Sequence, residues 1–377
     1  MLGLTGLKRL AGYHLTNIPG WRTKRKIVVI ESDDWGSIRM PSKEVYEKML
    51  TAGVRVDKCH YCSNDSLETE EDLSLLFEVL TSVKDKFDNP AEVTANTLVA
   101  NPDFKKIKES NFTEYHYKKI SEGFQEFKGS ENVLALYKQG QNARCFKVQS
   151  HGREHLNVSR WMKYLNEDYK ETHLAFELGV YGLSTTITTE KRKSFLPAFD
   201  FDTSDEELQV NEIALDGLRI FEEIFAYQSK SFIAPNYVWG KSLEKTIKNC
   251  GVNFMQGSQL HRYTEVNGHK SNRRLRYTGK KNEHNQIELA RNAFFEPSEN
   301  TNKDWVNSCL ADINRAFTWK HPAIICSHRV NFMGGLNKGN RDMNLKQLKE
   351  LLVQIKNKWP DVEFMSSDQL GELVKQK

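Results

Sequence analysis

Short apolar runs alternate with helix-patterned stretches from residue 26 to the C-terminal end, and this alternation constrains the fold more than any other feature of the chain. The runs at 27–32, 92–100, 145–150, 174–180, 231–235, 253–256, 323–327 and 362–366 read as strands. The stretches 42–52, 70–87, 159–169, 205–227, 241–250, 304–319, 344–359 and 367–374 read as helices, with Ser204 and Ser367 as expected N-caps. Strand–helix repetition places successive strands parallel, because the crossover helix carries the chain back to its starting edge. Seven or eight such units predict an α/β fold in the form of a barrel of parallel strands.

The 377 residues carry 28% charged and 11% aromatic side chains and 9 prolines, a globular profile and not a disordered one. A net charge of +4 set against 54 basic and 50 acidic residues supplies no electrostatic case for nucleic acid. The basic clusters "RTKRK" (22–26) and "SNRRLRYTGKK" (271–281) read as solvated surface. With no linker, repeat or low-complexity segment, one domain over 1–377 is expected, with residues 1–25 a helical N-terminal extension and 264–285 a polar loop insertion. The six cysteines are widely spaced, and Cys145 and Cys326 lie in apolar runs, as reduced buried thiols do. Cys59 and Cys62 form a single CxxC without a second half-site, so "CHYC" reads as a loop and not as a metal knuckle. No window reaches the roughly twenty apolar residues of a membrane span, and the amphipathic start lacks a small-residue cleavage site. A cytoplasmic enzyme is therefore expected. The sequence does not specify an oligomeric state.

The strand ends carry the chemistry. In α/β barrels the loops after the strands converge on one mouth, so the residues just past each run are informative. "KIVVIESDDWGS" (26–37) runs straight into Asp33 and Asp34, "SHGREHLN" places His151 and His155 after 145–150, "PNYVWG" comes after 231–234, and "SHRVNF" after 323–326. Two like charges in succession repel unless something positive lies beside them. His151 and His155 stand four apart, so a helical turn would let both imidazoles reach one cation. One aspartate added to the pair makes an Asp/His/His set with open positions, suited to Zn²⁺ or a similar divalent ion, and leaves the other aspartate free to act as a base.

These residues resemble a family. "ESDDWG" is similar to the Thr-Phe-Asp-Asp-Gly signature of the NodB-type polysaccharide deacetylases, "SHGREH" to their His-Ser/Thr-x-x-His metal motif, with three residues between the histidines in both, and "CSH" (326–328) to their late Leu-x-His motif. The resemblance implies an irregular, TIM-barrel-like (β/α) barrel of about seven strands and an acetylated sugar or polysaccharide precursor as substrate. It implies Asp33 as catalytic base, Asp34, His151 and His155 as ligands of a divalent metal (Zn, with Co, Ni or Mn as alternatives), and His328 as the acid that protonates the leaving group. Pro235, Asn236 and Tyr237 correspond to the loop whose backbone N–H helps hold an oxyanion. The chain departs from the family at three points. Ile233 stands where an arginine opens the Arg-x-Pro-Tyr loop, and Arg291 and Arg329 are the candidates to supply that charge from elsewhere. Trp35 replaces a glycine, and no proline comes after the second histidine. Trp35, Tyr237 and Trp239 are expected on the rim as sugar platforms, or alternatively as packing.

Three other readings stay open. "HGREH" is also His-x-x-Glu-His, the inverted zinc-protease motif, with Glu154 as base. A glycosidase of the same barrel superfamily would need two carboxylates and no metal, for which Asp33 and Glu177 of "AFELGV" are candidates. A degenerate barrel would bind carbohydrate without turnover.

Overall fold

The structure, a computed structural model, describes residues 18–167 and 169–376. Ile27, Val28, Val29 and Ile30 are buried on both faces, and the strand they build, β1 (Lys26–Trp35), lies inside the sheet. The other barrel strands are β2 (Val93–Thr97), β3 (Phe146–Ser150), β4 (Ser231–Phe232), β5 (Phe254–Gly257), β6 (Ile287–Ala290), β7 (Ala293–Phe294), β8 (Ala323–His328) and β9 (Val362–Phe364). The order across the curled sheet is β6-β5-β4-β3-β2-β1-β8-β7, every pairing is parallel, and β9 lies beside the first residues of β1.

The two sheet edges are joined within three residues of chain. β6 pairs with β5 and β7 with β8, and between them the Arg291 N–H donates to Gly257 O (2.9 Å) and the Asn292 N–H to Ile324 O (3.0 Å). The chain thus steps from one edge to the other and turns an open sheet into an irregular barrel. This closure sets Arg291 at the barrel mouth.

The expected helices are present at 43–51, 70–81, 158–166, 204–225, 241–248, 305–318, 338–358 and 367–375. Two N-caps fall one residue earlier than expected. Thr203 and Ser366 hold the extended backbone and the capping boxes, with Glu206 and Gln369 reaching back. The expected strand at 174–180 is the end of a helix, Lys170–Glu177, whose Thr172, Ala175 and Phe176 form a buried stripe at helical spacing. β6 and β7 have no counterpart among the expected strands, being only four and two residues long. Of the expected N-terminal helix, residues 1–17 lie outside the described residues. Residues 18–25 contain no helix and strap across the barrel, where the Trp21 N–H donates to Thr278 O (2.7 Å). Within 264–285, Arg274–Leu275 pairs antiparallel with Leu260–His261. The "CHYC" stretch is not a loop, since Cys59 caps a short helix, His60–Asn64. All six cysteines are free. Among the described residues no helix is long and apolar enough to cross a membrane.

Candidate metal centre

β1 ends with Asp34 at φ 74° and Gly36 at φ 80°. A left-handed aspartate costs little compared with most residues, because its short polar side chain tolerates that region. The glycine is required: a Cβ at position 36 would stand 2.4 Å from Leu98 O. This turn sends the two neighbouring carboxylates to different partners, which resolves their mutual repulsion.

Asp34 faces the histidines. Its Oδ1 lies 3.3 Å from His151 Nε2 and 3.4 Å from His155 Nε2, and all three side chains are buried. His151 Nδ1 sits 2.8 Å from Ile233 O, so Nδ1 carries the proton and Nε2 presents its lone pair. Burial pushes the His155 imidazole down to about 4, so it is neutral near pH 7, the form in which histidine ligates metal. Asp34 Oδ1 is buried without a hydrogen-bond partner, and so is His155 Nδ1. Two ligand atoms at tetrahedral positions about 2.1 Å from a zinc ion are about 3.4 Å apart. The donor spacing, the orphaned carboxylate oxygen and the Asp/His/His chemistry fit a divalent cation. The segment between the histidines is not a helical turn: residues 151–157 are irregular, Gly152 is at φ 111°, and the next helix starts at Val158. The barrel, and not local periodicity, brings the imidazoles together.

Asp33 faces the other way, into a buried polar cluster. Arg291 donates to both of its oxygens (2.6 and 2.8 Å), and Asn96 Nδ2 donates to Oδ1 (2.7 Å). Arg291 also donates from Nε to Glu31 Oε2 (2.6 Å) and from a terminal nitrogen to Tyr237 Oη (2.9 Å). Burial alone would raise the Asp33 carboxyl; the guanidinium overcomes this and holds it at about 2, ionised at neutral pH. Beyond Asp33 stands His328, with Nε2 3.7 Å from Asp33 Oδ2 and Nδ1 2.6 Å from Glu296 Oε1. Burial pulls this imidazole down, but the Glu296 and Asp33 carboxylates outweigh it and raise it well above its usual range, so it is an imidazolium at neutral pH.

A cavity of about 260 Å³ opens over both groups. Its walls carry Asp33, Asp34, His151, His155 and His328 together with Arg39, Tyr61, Ala234, Asn236 and Tyr237. Pro235, Asn236 and Tyr237 form a tight turn with Asn236 and Tyr237 at φ 55° and 56°. The Tyr237 N–H is taken by Ala234 O (2.9 Å), whereas the Asn236 N–H has no acceptor among the described residues.

Some expected rim residues are elsewhere. Trp35 is fully buried, edge-on to Phe146 and Tyr137, and Trp239 is stacked on His261. Their rings fill the core and present no face to the cavity. Arg329 does not reach Asp33: it pairs with Asp65 (2.8 Å) and Glu68 (2.6 Å), and Glu68 in turn accepts from the Gly36 N–H (2.8 Å), so Arg329 braces the turn after β1. Glu154 is locked to Arg153 (2.6 Å), and Glu177 lies at a helix end paired with Lys108 (2.6 Å). Four functional candidates emerge only from the structure: Glu31, Asn96, Glu296 and Arg39. Glu31 has a readable signal, a carboxylate inside an apolar run two residues before Asp33 and hence on the same face. The other three have none.

No family model matches the chain, and no curated protein matches it by sequence. Solved structures do match. A candidate glycoside hydrolase/deacetylase from Parabacteroides distasonis aligns with 93% of this chain and 71% of its own at 10% identity and a TM-score of 0.50. A candidate polysaccharide deacetylase from Pseudomonas aeruginosa aligns over 94% and 92% at 9% identity (TM-score 0.46). A 4-alpha-glucanotransferase from Thermococcus litoralis aligns over 92% of this chain and 40% of its own at 9% identity (TM-score 0.45). At such identities a match of this kind shows the fold alone, and the chain shares its irregular α/β barrel with the Parabacteroides protein.

Proposed function

We propose that the chain is a metal-dependent hydrolase that removes acetyl groups from an N- or O-acetylated sugar or polysaccharide precursor. The observation that carries this reading is the divided aspartate pair. Asp34 and two imidazoles are spaced as ligands, while the adjacent Asp33 is kept ionised by Arg291 a few ångströms away. Asp34, His151 and His155 would hold the ion, zinc being the natural choice for this donor set, with Co, Ni or Mn as alternatives. When bound, such an ion supplies Lewis acidity, acidifying water and polarising a carbonyl.

The remaining work falls to the protein. Asp33 accepts the proton of the attacking water; its low proton affinity keeps it available as a carboxylate, and Arg291 and Asn96 fix its orientation. The Asn236 N–H, free and on the cavity wall, donates to the oxygen on which negative charge develops as the carbonyl becomes tetrahedral. His328, held protonated by Glu296, delivers a proton to the departing amine or alcohol. The arginine that the resemblance places two residues before Pro235 is supplied here by Arg291, from the crossing between β6 and β7. The inverted-protease reading loses its base to the Glu154–Arg153 pair, and the two-carboxylate reading loses Glu177 to the protein exterior.

The test is metal content by plasma mass spectrometry on the wild type and on the double variant His151→Ala, His155→Ala, alongside acetate release from acetylated chito-oligosaccharides and acetylxylan. Near one ion per chain, lost in the variant together with acetate release, is expected. A protein that binds neither added Zn²⁺ nor Co²⁺, or that releases acetate equally well in the double variant, overturns the reading.

A further inference from the structure

One charged side chain on the cavity wall has no part in this mechanism. Arg39 is buried, with 7% of its surface exposed, lines the same cavity as Asp34 and His155, and makes no hydrogen bond or ion pair with any described residue. Every other buried arginine among the described residues has a carboxylate partner: Arg153 has Glu154, Arg160 has Asp200 and Asp202, Arg276 has Glu288, Arg291 has Glu31 and Asp33, Arg329 has Asp65 and Glu68, and Arg341 has Asp72. A buried guanidinium without a counter-ion is costly, and natural folds retain one where a ligand supplies the missing charge. The groups whose fields reach Arg39 are engaged elsewhere and make no hydrogen bond to it: the Cys62 and Cys59 thiols bond each other, Asp34 belongs to the metal cradle and Asp65 takes two hydrogen bonds from Arg329.

The side chain is also held in place. The Tyr61 ring lies 5.3 Å from the guanidinium carbon, and Gly182 leaves the space it fills, since a Cβ there would stand 3.0 Å from the arginine's Nη1. A planar fork packed against a ring and a glycine is preorganised for an oxyanion with two oxygens to offer.

We propose that Arg39 binds an anionic group, a carboxylate or a phosphate, carried by the substrate close to the acetyl group that is removed, so that the preferred substrate is an acidic sugar and not a neutral one. The acetylated nature of that sugar rests on the function proposed above; the anion preference does not. A carboxylate of a uronic acid and the phosphate of a sugar ester present the same chemistry to a guanidinium, and separate probes distinguish them.

The experiment is calorimetric binding of oligogalacturonate, of a neutral xylo-oligosaccharide of equal length and of glucose 1-phosphate to the metal-loaded full chain, in wild type, Arg39→Gln and Arg39→Lys. The wild type is expected to bind one of the two anionic probes at least about tenfold more tightly than the neutral one, which is the scale of a charge-assisted bidentate pair. Arg39→Gln abolishes the preference, and Arg39→Lys keeps a part of it. Whichever anionic probe is favoured identifies the source of the charge. Anion binding by the metal itself persists in Arg39→Gln, so a preference unchanged in that variant overturns the proposal. Equal binding of anionic and neutral probes by the wild type overturns it too, whatever the folding of the variants. If acetylated forms of the three probes release no acetate while the Arg39-dependent preference stands, the deacetylase reading fails and this one survives.

Discussion

Replacing Arg291 by methionine tests whether the barrel closure and the chemistry share one residue. The side chain is buried and joins two carboxylates from one strand, Glu31 and Asp33, at 2.6 Å each. Removing it leaves both as uncompensated buried acids, and breaking a buried pair in this way costs about 3–5 kcal/mol. At about 2.1 cal/mol/K per residue, the 377-residue chain has an unfolding entropy of about 0.8 kcal/mol/K, so the midpoint should fall by about 4–6 °C. Calorimetry on Arg291→Met, on Glu31→Gln and on the double variant then separates the partners. With Glu31 neutralised, one of the two stranded charges is gone, so the double variant should lose less than the sum of the singles by more than about 1 kcal/mol. Metal content should stay unchanged, because Arg291 touches Asp33 and not Asp34. A single-variant loss below about 1 kcal/mol, or additivity within about 0.5 kcal/mol, would refute the argument that Arg291 neutralises a coupled carboxylate pair.

Three further perturbations probe particular contacts. Glu296→Gln removes the carboxylate that holds His328 protonated, so acetate release should drop by about 10²-fold and its alkaline limb should move to lower pH, as the imidazolium is lost sooner; an unmoved pH profile sinks the assignment. Gly36→Ala forces a Cβ to within 2.4 Å of Leu98 O at φ 80°, and urea unfolding should show a loss of at least about 1–3 kcal/mol, whereas a neutral result would mean that the turn can rearrange. Burial and Asp368 push the Glu92 carboxyl from its ordinary 4.5 up to about 8, so the folded state keeps a proton that the unfolded chain has lost, and stability declines as pH rises from about 4.5 to about 8. Glu92→Gln should remove that decline. Equal melting-point differences between wild type and variant at pH 5 and pH 9 would contradict it.

Much of the site was readable because its residues sit in local patterns. A strand without a polar face has to be covered on both sides, so the four aliphatic residues before Asp33 determine by themselves that the aspartates emerge at a sheet edge. The alternation of strand and helix periods likewise determines parallel pairing, and His151 and His328 are recognisable as the polar residues just past buried runs. Local pattern reports whether a residue is buried and says little about what it is buried against. That is why 174–180 reads as a strand: an apolar cluster of that length satisfies either period until its neighbours are known.

The tertiary structure decided the partners. Arg291 meets Asp33 across 258 residues, and Glu296 meets His328 across 32, because short strands close the barrel between β5 and β8. Nothing in the spacing of those residues encodes the meeting; it exists only once the sheet has curled and its edges have joined. The same holds for charges left alone. The sequence by itself determined an arginine at position 39, a few residues past the turn. Only the packed barrel left that arginine buried, packed against Tyr61 and Gly182 and without an ion-pair partner among the described residues, because pairing is a property of three-dimensional neighbours and not of the chain.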